Sequence, residues 1–496
     1  MSAPISKPIS VALREHQVKC FAAVLEHCTT HTFHSNNSPT GAGKTPFNIK
    51  LAQKFDLFPV VAGPANVEIT GWDKEMKKYN MNYIFLSYTK LGLLEVYTHP
   101  YVRVVNGKYE VTDAFKELIK RRILFIMDES QDTKNDNSKS TNACYAMCAA
   151  IRAANNGSRI VTLSATPFDK EEQIETYFKM MGVMTAHDLF YFNLGYKEYY
   201  LDGYGYSQIV DYCRKIDPVT TANLELRNSE LSAAAIRHAV FEMFVQIIKP
   251  KYSFAMPRPK IEAKFIPRSM YYKVPQNELI SVRSAISKMG SSAGYDNGEI
   301  TGPLKMGMIT KAYIEVEKAK APLFTRIIKK ELEADKYCKV IMFVWQNETV
   351  DILMENLKEY KPLRCDGKVN PAKRAQYQDL FQQPNTDYRL IIAKPTAFGV
   401  GINLDDTDGR FKRHTFININ YNFTKTHQAA GRPYRADTKS DVTCTLVQVA
   451  DTEESGIINA IKNKKNVTKK VVAESAETQV DNHIIYPGEY PIMVEN

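Results

Sequence analysis

Hydrophobic positions along this chain form two stretches of strand–helix alternation separated by a region where that alternation lapses. Near the N-terminus Phe21, Val24, Leu25 and Cys28 recur at i, i+3, i+4 and i+7, which predicts an amphipathic helix within ALREHQVKCFAAVLEHC. Short continuous apolar runs follow: FPVVAG from Phe58, NYIFLS from Asn82, ILFIM from Ile123 and IVTLS from Ile160. Such runs suit strands buried on both faces, and their alternation with helical stretches predicts a parallel sheet in an α/β unit. The rhythm lapses between Phe168 and Cys338, then resumes with KVIMFVW from Lys339, RLIIA from Arg389, TFINI from Thr415 and TCTLVQV from Thr443. The lapse holds a tyrosine-rich patch from Tyr191, a helical segment HAVFEMFVQII, a Pro-broken passage MPRPKIEAKFIPRS, and MGSSAGYDNGE from Met289, which reads as an exposed loop.

The expected organisation is a flexible arm over 1–10, an α/β lobe over 11–185, a mostly helical insert over 186–320, a second α/β lobe over 321–466 and a tail over 467–496, either strap or disordered. The length of 496 residues agrees with about three units. A composition of 44% hydrophobic and 24% charged residues excludes wholesale disorder, collagen-like repeats and coiled-coil rods. No apolar run reaches the ~18 residues of a membrane span, and the first residues lack a secretory pattern. Eight cysteines fit neither a disulfide scaffold nor a common zinc spacing, so reduced thiols in an intracellular compartment (cytoplasm, nucleus or viral) are expected. The net charge of +10 leans weakly toward a polyanionic partner.

The strongest local signal is SPTGAGKT, Ser38 to Thr45, between a predicted strand and the helical stretch NIKLAQKF. Glycines let backbone N–H groups close around phosphate oxygens, so Thr40, Gly41, Ala42 and Gly43 form a candidate cradle. Lys44 supplies charge to the outer phosphates, and the Thr45 hydroxyl is a candidate magnesium ligand. Ser38 stands where this pattern usually has glycine, and Pro46 fits only within the first helical turn. The run ILFIM ends in DESQ, which delivers two carboxylates to the strand edge where open parallel sheets bind ligands. Asp128 is the candidate magnesium holder and Glu129 the candidate base for the attacking water. IVTLS ends in Ser164, Ala165 and Thr166, small residues able to sense a γ-phosphate. Arg432 and Arg435, at i and i+3, would point the same way on a helical turn, and arginine can fork onto a phosphate while staying charged.

The ordered set LREHQ, SPTGAGKT, GPANVEITGW, DESQ, LSATP, FGVGINL and HQAAGRPYR resembles the superfamily 2 helicases and translocases over residues 11–460. Within that superfamily MPRPKIEAKFIP, KVIMFVWQNETVDIL, LRCDGKVNPAKR, FGVGINL and QAAGRPYRAD resemble the SWI/SNF-type remodelling ATPases, here as a bare motor of the kind found in phages and large DNA viruses. The resemblance implies two tandem RecA-like lobes that use ATP and Mg2+. It implies that Gln17 reads the adenine edge, that Gln131, Ser164, Ala165 and Thr166 couple nucleotide state to the track, and that Gly399, Gly401 and Asn403 sit at the lobe interface. Gln428, Arg432 and Arg435 would act from the second lobe, with Arg435 the arginine finger. Two departures stand out: remodellers usually carry an acidic, Met-containing phosphate loop, and usually have histidine where this chain has Gln131.

The expected activity is therefore ATP hydrolysis driving movement along DNA, duplex DNA foremost, with a recruiting protein partner possible in principle and no membrane. A strand-separating DNA or RNA helicase is the alternative within the enzymes, and a non-catalytic nucleic-acid clamp or scaffold the alternative outside them. Cys20, Cys28, His31 and His34 match no metal-binding spacing, Cys144 and Cys148 read as core thiols, and Trp72 reads as a packing residue. Lys462, Lys464, Lys465, Lys469 and Lys470 could grip phosphates or solvate a helix end, and the tyrosine patch could stack bases or pack against a lobe.

Overall fold

The computed structural model describes residues 8–94, 98–135, 138–185, 188–193, 198–226, 232–293, 295–296, 299–300, 306–398, 403–452, 454, 470 and 492–495. The chain divides into two compact units, Met1–Arg258 with Val467–Thr478, and Pro259–Asn466 with Gln479–Asn496.

In the first unit a helix, α1 (Glu15–Thr30), buries Phe21, Val24 and Cys28 as the periodicity predicts, and leads into strand β1 (Phe33–Asn36). A second helix, α2 (Lys44–Phe55), starts inside SPTGAGKT, so Pro46 occupies its first turn. Strands β2 (Phe58–Gly63), β3 (Ile84–Ser87), β4 (Ile123–Asp128), β5 (Arg159–Leu163) and β6 (Ser253–Phe254) complete a sheet of order β6-β1-β5-β4-β2-β3. Every neighbouring pair in it is parallel. Parallel strands end at one edge, so the segments after β1, β4 and β5 line up there, with β5 between the strand that feeds the phosphate-type loop and the strand that carries the acids. This is the RecA-like arrangement.

The stretch expected as an insert is shared between the units. Ile209, Val240, Phe241, Phe244 and Ile248 join Val60, Phe125 and Ile160 in the core of the first unit, and the division falls at Arg258 and Pro259. The tyrosine-rich patch includes an antiparallel hairpin, Phe190–Asn193 with Glu198–Leu201, on which Tyr191 and Tyr200 stack at 6.0 Å. The MGSSAGYDNGE segment is not wholly a loop, because the helix Gln276–Ala293 runs through its first residues.

The second unit has strands β7 (Phe265–Tyr272), β8 (Cys338–Phe343), β9 (Leu363–Cys365), β10 (Leu390–Ala393), β11 (Lys412–Asn418), β12 (Val442–Val449) and β13 (Ile492–Glu495). Their order is β9-β10-β8-β11-β12-β7-β13, again parallel throughout. The four apolar runs of the C-terminal half thus become β8, β10, β11 and β12, all buried on both faces as continuous runs require. The described tail residues are ordered by specific bonds: β13 pairs with β7 from Ser269↔Ile492 to Tyr272↔Glu495, while Lys470 donates to Glu242 at 2.8 Å in the first unit. The remaining lysines of the tail cluster lie outside the described residues.

Candidate functional site

The loop after β1 folds back on itself through two left-handed glycines, Gly41 and Gly43, each at φ 84°. Glycine is required at Gly43 twice over, because a Cβ there would stand 2.6 Å from Gln17 Nε2 as well as strain the backbone. Gln17, fully buried on α1, donates that amide to the carbonyls of Ala42 (3.0 Å) and Gly43 (3.2 Å) and accepts from the Arg14 N–H at 2.8 Å. Its side chain is thus a brace for the loop, and His16 Nε2 adds a second contact to Ala42 O at 3.1 Å, one the sequence reading missed. Lys44 opens α2 and donates Nζ to the carbonyls of Ser38 (2.8 Å) and Pro39 (3.2 Å), with Thr45 next to it in the same turn. Thr40, Gly41 and Ala42 complete the loop.

At the end of β4, Asp128 is buried and both its oxygens are held: Oδ2 accepts from Trp72 Nε1 at 2.8 Å and Oδ1 from the Glu129 N–H at 2.9 Å. Tyr88 donates its hydroxyl to Asp128 O at 3.0 Å. Burial pushes the Asp128 carboxyl up to about 6, Glu129 adds to the rise, and the Trp72 bond and the Lys44 charge oppose it. Trp72, fully buried as expected of a packing residue, is also the donor that orients this carboxylate. The missed feature was the five-residue π-helix Glu68–Trp72, an uncommon turn frequently found at functional sites, which no hydrophobic period reveals.

Glu129 lies at φ 52°, a left-handed conformation costly for a residue with a Cβ. That turn lets Gln131 Nε2 reach Glu129 Oε2 at 2.5 Å, while Gln131 Oε1 accepts from Ser164 Oγ at 2.5 Å. Ser164 Oγ in turn accepts from the Thr166 N–H at 3.0 Å. Glu129, Gln131, Ser164 and Thr166 therefore form one relay from the end of β4 to the end of β5, with Ala165 buried inside it. Just beyond, Lys134 and Asp169 pair at 2.5 Å and staple the two segments together.

In the second unit the helix Phe423–Ala430 ends before the arginines, and Gly431 caps it. Arg432 and Arg435 therefore sit on the irregular chain after that helix, not on a shared helical turn. Gln428 and Arg432 are buried, and the Arg432 carbonyl accepts from the Leu404 N–H at 3.1 Å. The Arg435 charge counteracts the rise that burial imposes on the Asp405 carboxyl. Asn403 is exposed, and Gly399 and Gly401 lie outside the described residues. Among the described residues no group of three or more His, Cys, Asp or Glu is arranged to hold a metal ion. Cys144 and Cys148 are buried thiols in the core. No helix among the described residues is long and apolar enough to cross a membrane.

Residues 323–437 match the helicase conserved C-terminal domain. A protein of Acanthamoeba polyphaga mimivirus, provisionally named an ATP-dependent RNA helicase, is 24% identical over 455 residues, covering 86% of this chain and 78% of the viral one. The nuclear protein STH1/NPS1 of Saccharomyces cerevisiae is 25% identical over 136 residues, 27% of this chain and 10% of the yeast protein. Among solved structures, the Sulfolobus solfataricus SWI2/SNF2 ATPase core in complex with dsDNA is similar at 14% identity and a TM-score of 0.31, covering 97% of this chain and 99% of that one.

Proposed function

We propose that this chain is an ATP-driven nucleic-acid motor of the superfamily 2 helicase type with SWI/SNF affinity, and that its track is duplex DNA, followed by phosphate contacts without strand separation. The observation that carries the reading is the relay from Glu129 through Gln131 to Ser164 and Thr166. It ties the candidate base to the neighbouring strand end, as a motor must if hydrolysis is to move anything. The duplex track rests on the SWI/SNF-like segments of the second half.

The residues present fit a magnesium ion, since Asp128 and Thr45 offer hard oxygen donors beside the phosphate loop; when bound, the ion neutralises charge on the β- and γ-phosphates. Thr40, Gly41, Ala42 and Gly43 present N–H groups to the phosphates, and Lys44 exchanges the carbonyls of Ser38 and Pro39 for phosphate oxygens. Gln17 holds the loop to α1, and adenine recognition by it would require giving up the Ala42 bond. Glu129 takes a proton from the water that attacks the γ-phosphorus, with Gln131 fixing the carboxylate. Arg435 is the candidate finger and Arg432 its companion, Gly401 is a candidate nucleotide contact, and Gln131, Ser164 to Thr166 and Gln428 convey nucleotide state.

ATP turnover measured without polymer and with single-stranded DNA, duplex DNA and RNA tests the reading, beside displacement of a third strand and of a paired strand. Strongest stimulation by duplex DNA with third-strand displacement alone is expected. Strand separation with RNA as the best activator would establish the second reading, which the name of the viral relative favours. Lys44→Ala and Glu129→Gln should each abolish turnover, and normal turnover in both would end the ATPase assignment.

A further inference from the structure

The two units are joined by Met256-Pro257-Arg258-Pro259-Lys260-Ile261-Glu262-Ala263, and each end of this connector is fastened to a phosphate-handling motif of its own unit. In the first unit the Met256 N–H donates at 2.8 Å to the hydroxyl of Ser38, 218 residues away at the head of SPTGAGKT. Ser38 is fully buried, and its hydroxyl proton goes to Asn36 Oδ1 at 2.5 Å, which leaves a lone pair for Met256. The Ser38 carbonyl meanwhile accepts from Lys44 Nζ at 2.8 Å. One residue thus holds the connector by its side chain and the phosphate-loop lysine by its main chain. The approach is set by β6, which runs parallel to β1, and by the Asn37 N–H donating to Phe254 O at 2.8 Å.

At the other end, in the second unit, Tyr434 donates its hydroxyl to Ala263 O at 2.8 Å. Tyr434 stands between Arg432 and Arg435 and is buried against Ala263 and Val442. The next residue, Lys264, donates its N–H to Asp441 at 2.8 Å and accepts from the Val442 N–H at 2.9 Å, which starts the pairing of β7 with β12. The connector therefore runs from the phosphate loop to the arginine motif with a hydrogen bond at each end.

Its composition suits transmission. Pro257 and Pro259 fix their own φ angles and push the residues before them toward extended backbone, so the first half of the connector, Met256 to Pro259, has little conformational freedom. A flexible loop of equal length would absorb a shift at one end. We propose that this connector is a strut linking the phosphate loop to the arginine motif, with Ser38 and Tyr434 as its positioning anchors. Glycine at the Ser38 position could not accept the Met256 bond, which gives the departure from the usual loop pattern a physical reason. The inference rests on the ATPase reading above.

The test uses the full chain with Ser38→Ala, Tyr434→Phe, the double variant, and a Gly-Ser-Gly-Ser insertion after Lys260 that keeps both anchors. Turnover with and without duplex DNA, KM for ATP and thermal unfolding are measured together. Loss of one ordinary hydrogen bond corresponds to about a five- to tenfold effect. Each single variant is expected to lose about that much duplex-stimulated kcat, with KM for ATP within about twofold. The double variant should be no worse than the worse single one, because a link broken at one end transmits nothing more to lose. The insertion should reproduce the loss. Multiplying losses, a rise in KM that accounts for the whole effect, or an insertion without effect each overturn the strut. An unaltered chain with no response to duplex DNA sinks the track assignment instead. The strut is then judged by amide exchange at 432–441 on adding a non-hydrolysable ATP analogue, which must change in the unaltered chain and not in Ser38→Ala.

Discussion

Asp128 is held by an indole. Removing the Trp72 N–H leaves a buried carboxylate oxygen one donor short, and a hydrogen bond to a charged group is worth about 1.5–3 kcal/mol. Trp72→Phe, which keeps the ring and drops the donor, should raise the magnesium concentration for half-maximal ATP turnover about tenfold or more. An unchanged magnesium curve would show that Trp72 only packs. Gln131 makes a second case, since its amide donates to Glu129 and accepts from Ser164, both at 2.5 Å. Gln131→Leu removes both ends of the relay without adding charge. It should keep polymer-free turnover within about tenfold while losing most of the stimulation by polymer, and the ratio of the two rates is the readout. The placement of Lys44, Asp128 and Glu129 was legible in the sequence because Lys44 belongs to the glycine loop itself and the two acids close an apolar run that can only be a buried strand. Trp72 was not, because its partner lies 56 residues away and a long-range donor leaves no local pattern.

Elements were more legible than their ends. Continuous apolar runs became β2, β4, β5, β8, β10, β11 and β12, because burial on both faces permits nothing else. The spacing of Arg432 and Arg435 suggested a helical turn, yet the helix stops at Ala430 with Gly431 as its cap, a boundary that glycine after a helical run already marks. The sequence also concealed how β8, β11 and β12 are tied together at their C-terminal ends. There Lys320 is buried and donates to Asn418 (2.7 Å), to Val447 O (3.1 Å) and to Glu454 (2.8 Å), while Glu317 accepts from Asn418 (2.8 Å) and from the Trp345 and Gln346 N–H groups. Burial raises the Glu317 carboxyl and these donors restrain the rise. Lys320→Met strands Glu454 with a buried charge and no cation, a change that costs about 3–5 kcal/mol. Denaturant unfolding of this variant should show that loss, and Lys320→Met with Glu454→Gln should recover part of it. A loss below about 1 kcal/mol would mean that the pair is solvated in solution.

At the scale of the whole molecule, the two units carry buried titratable groups that act in different pH windows. In the first unit, burial pushes His27 down to about 4 and His34 down to about 3, and His34 Nε2 has no hydrogen-bond partner among the described residues. Between those values and the ordinary 6.5 the unfolded chain binds protons that the folded unit refuses, so stability present above 6.5 is lost as pH falls toward 4. Asp128, raised to about 6, acts in the opposite sense over part of that window, but one carboxyl offsets only one of the two histidines. In the second unit, burial and the neighbouring Arg413 push Lys339 down to about 7 while its ammonium donates to the carbonyls of Phe381 and Gln383. There the unfolded chain holds the extra proton above pH 7, so this unit gains stability as pH rises from 7 toward 8.5. Calorimetric unfolding of the full chain should therefore show one component that weakens by a few kcal/mol between pH 6.5 and 4.5 and another that strengthens between 7 and 8.5. Lys339→Met should flatten the second response and leave the first in place. If Lys339→Met keeps the alkaline gain, the burial of that ammonium is not its source, and the response has to be sought among the other groups of the same unit.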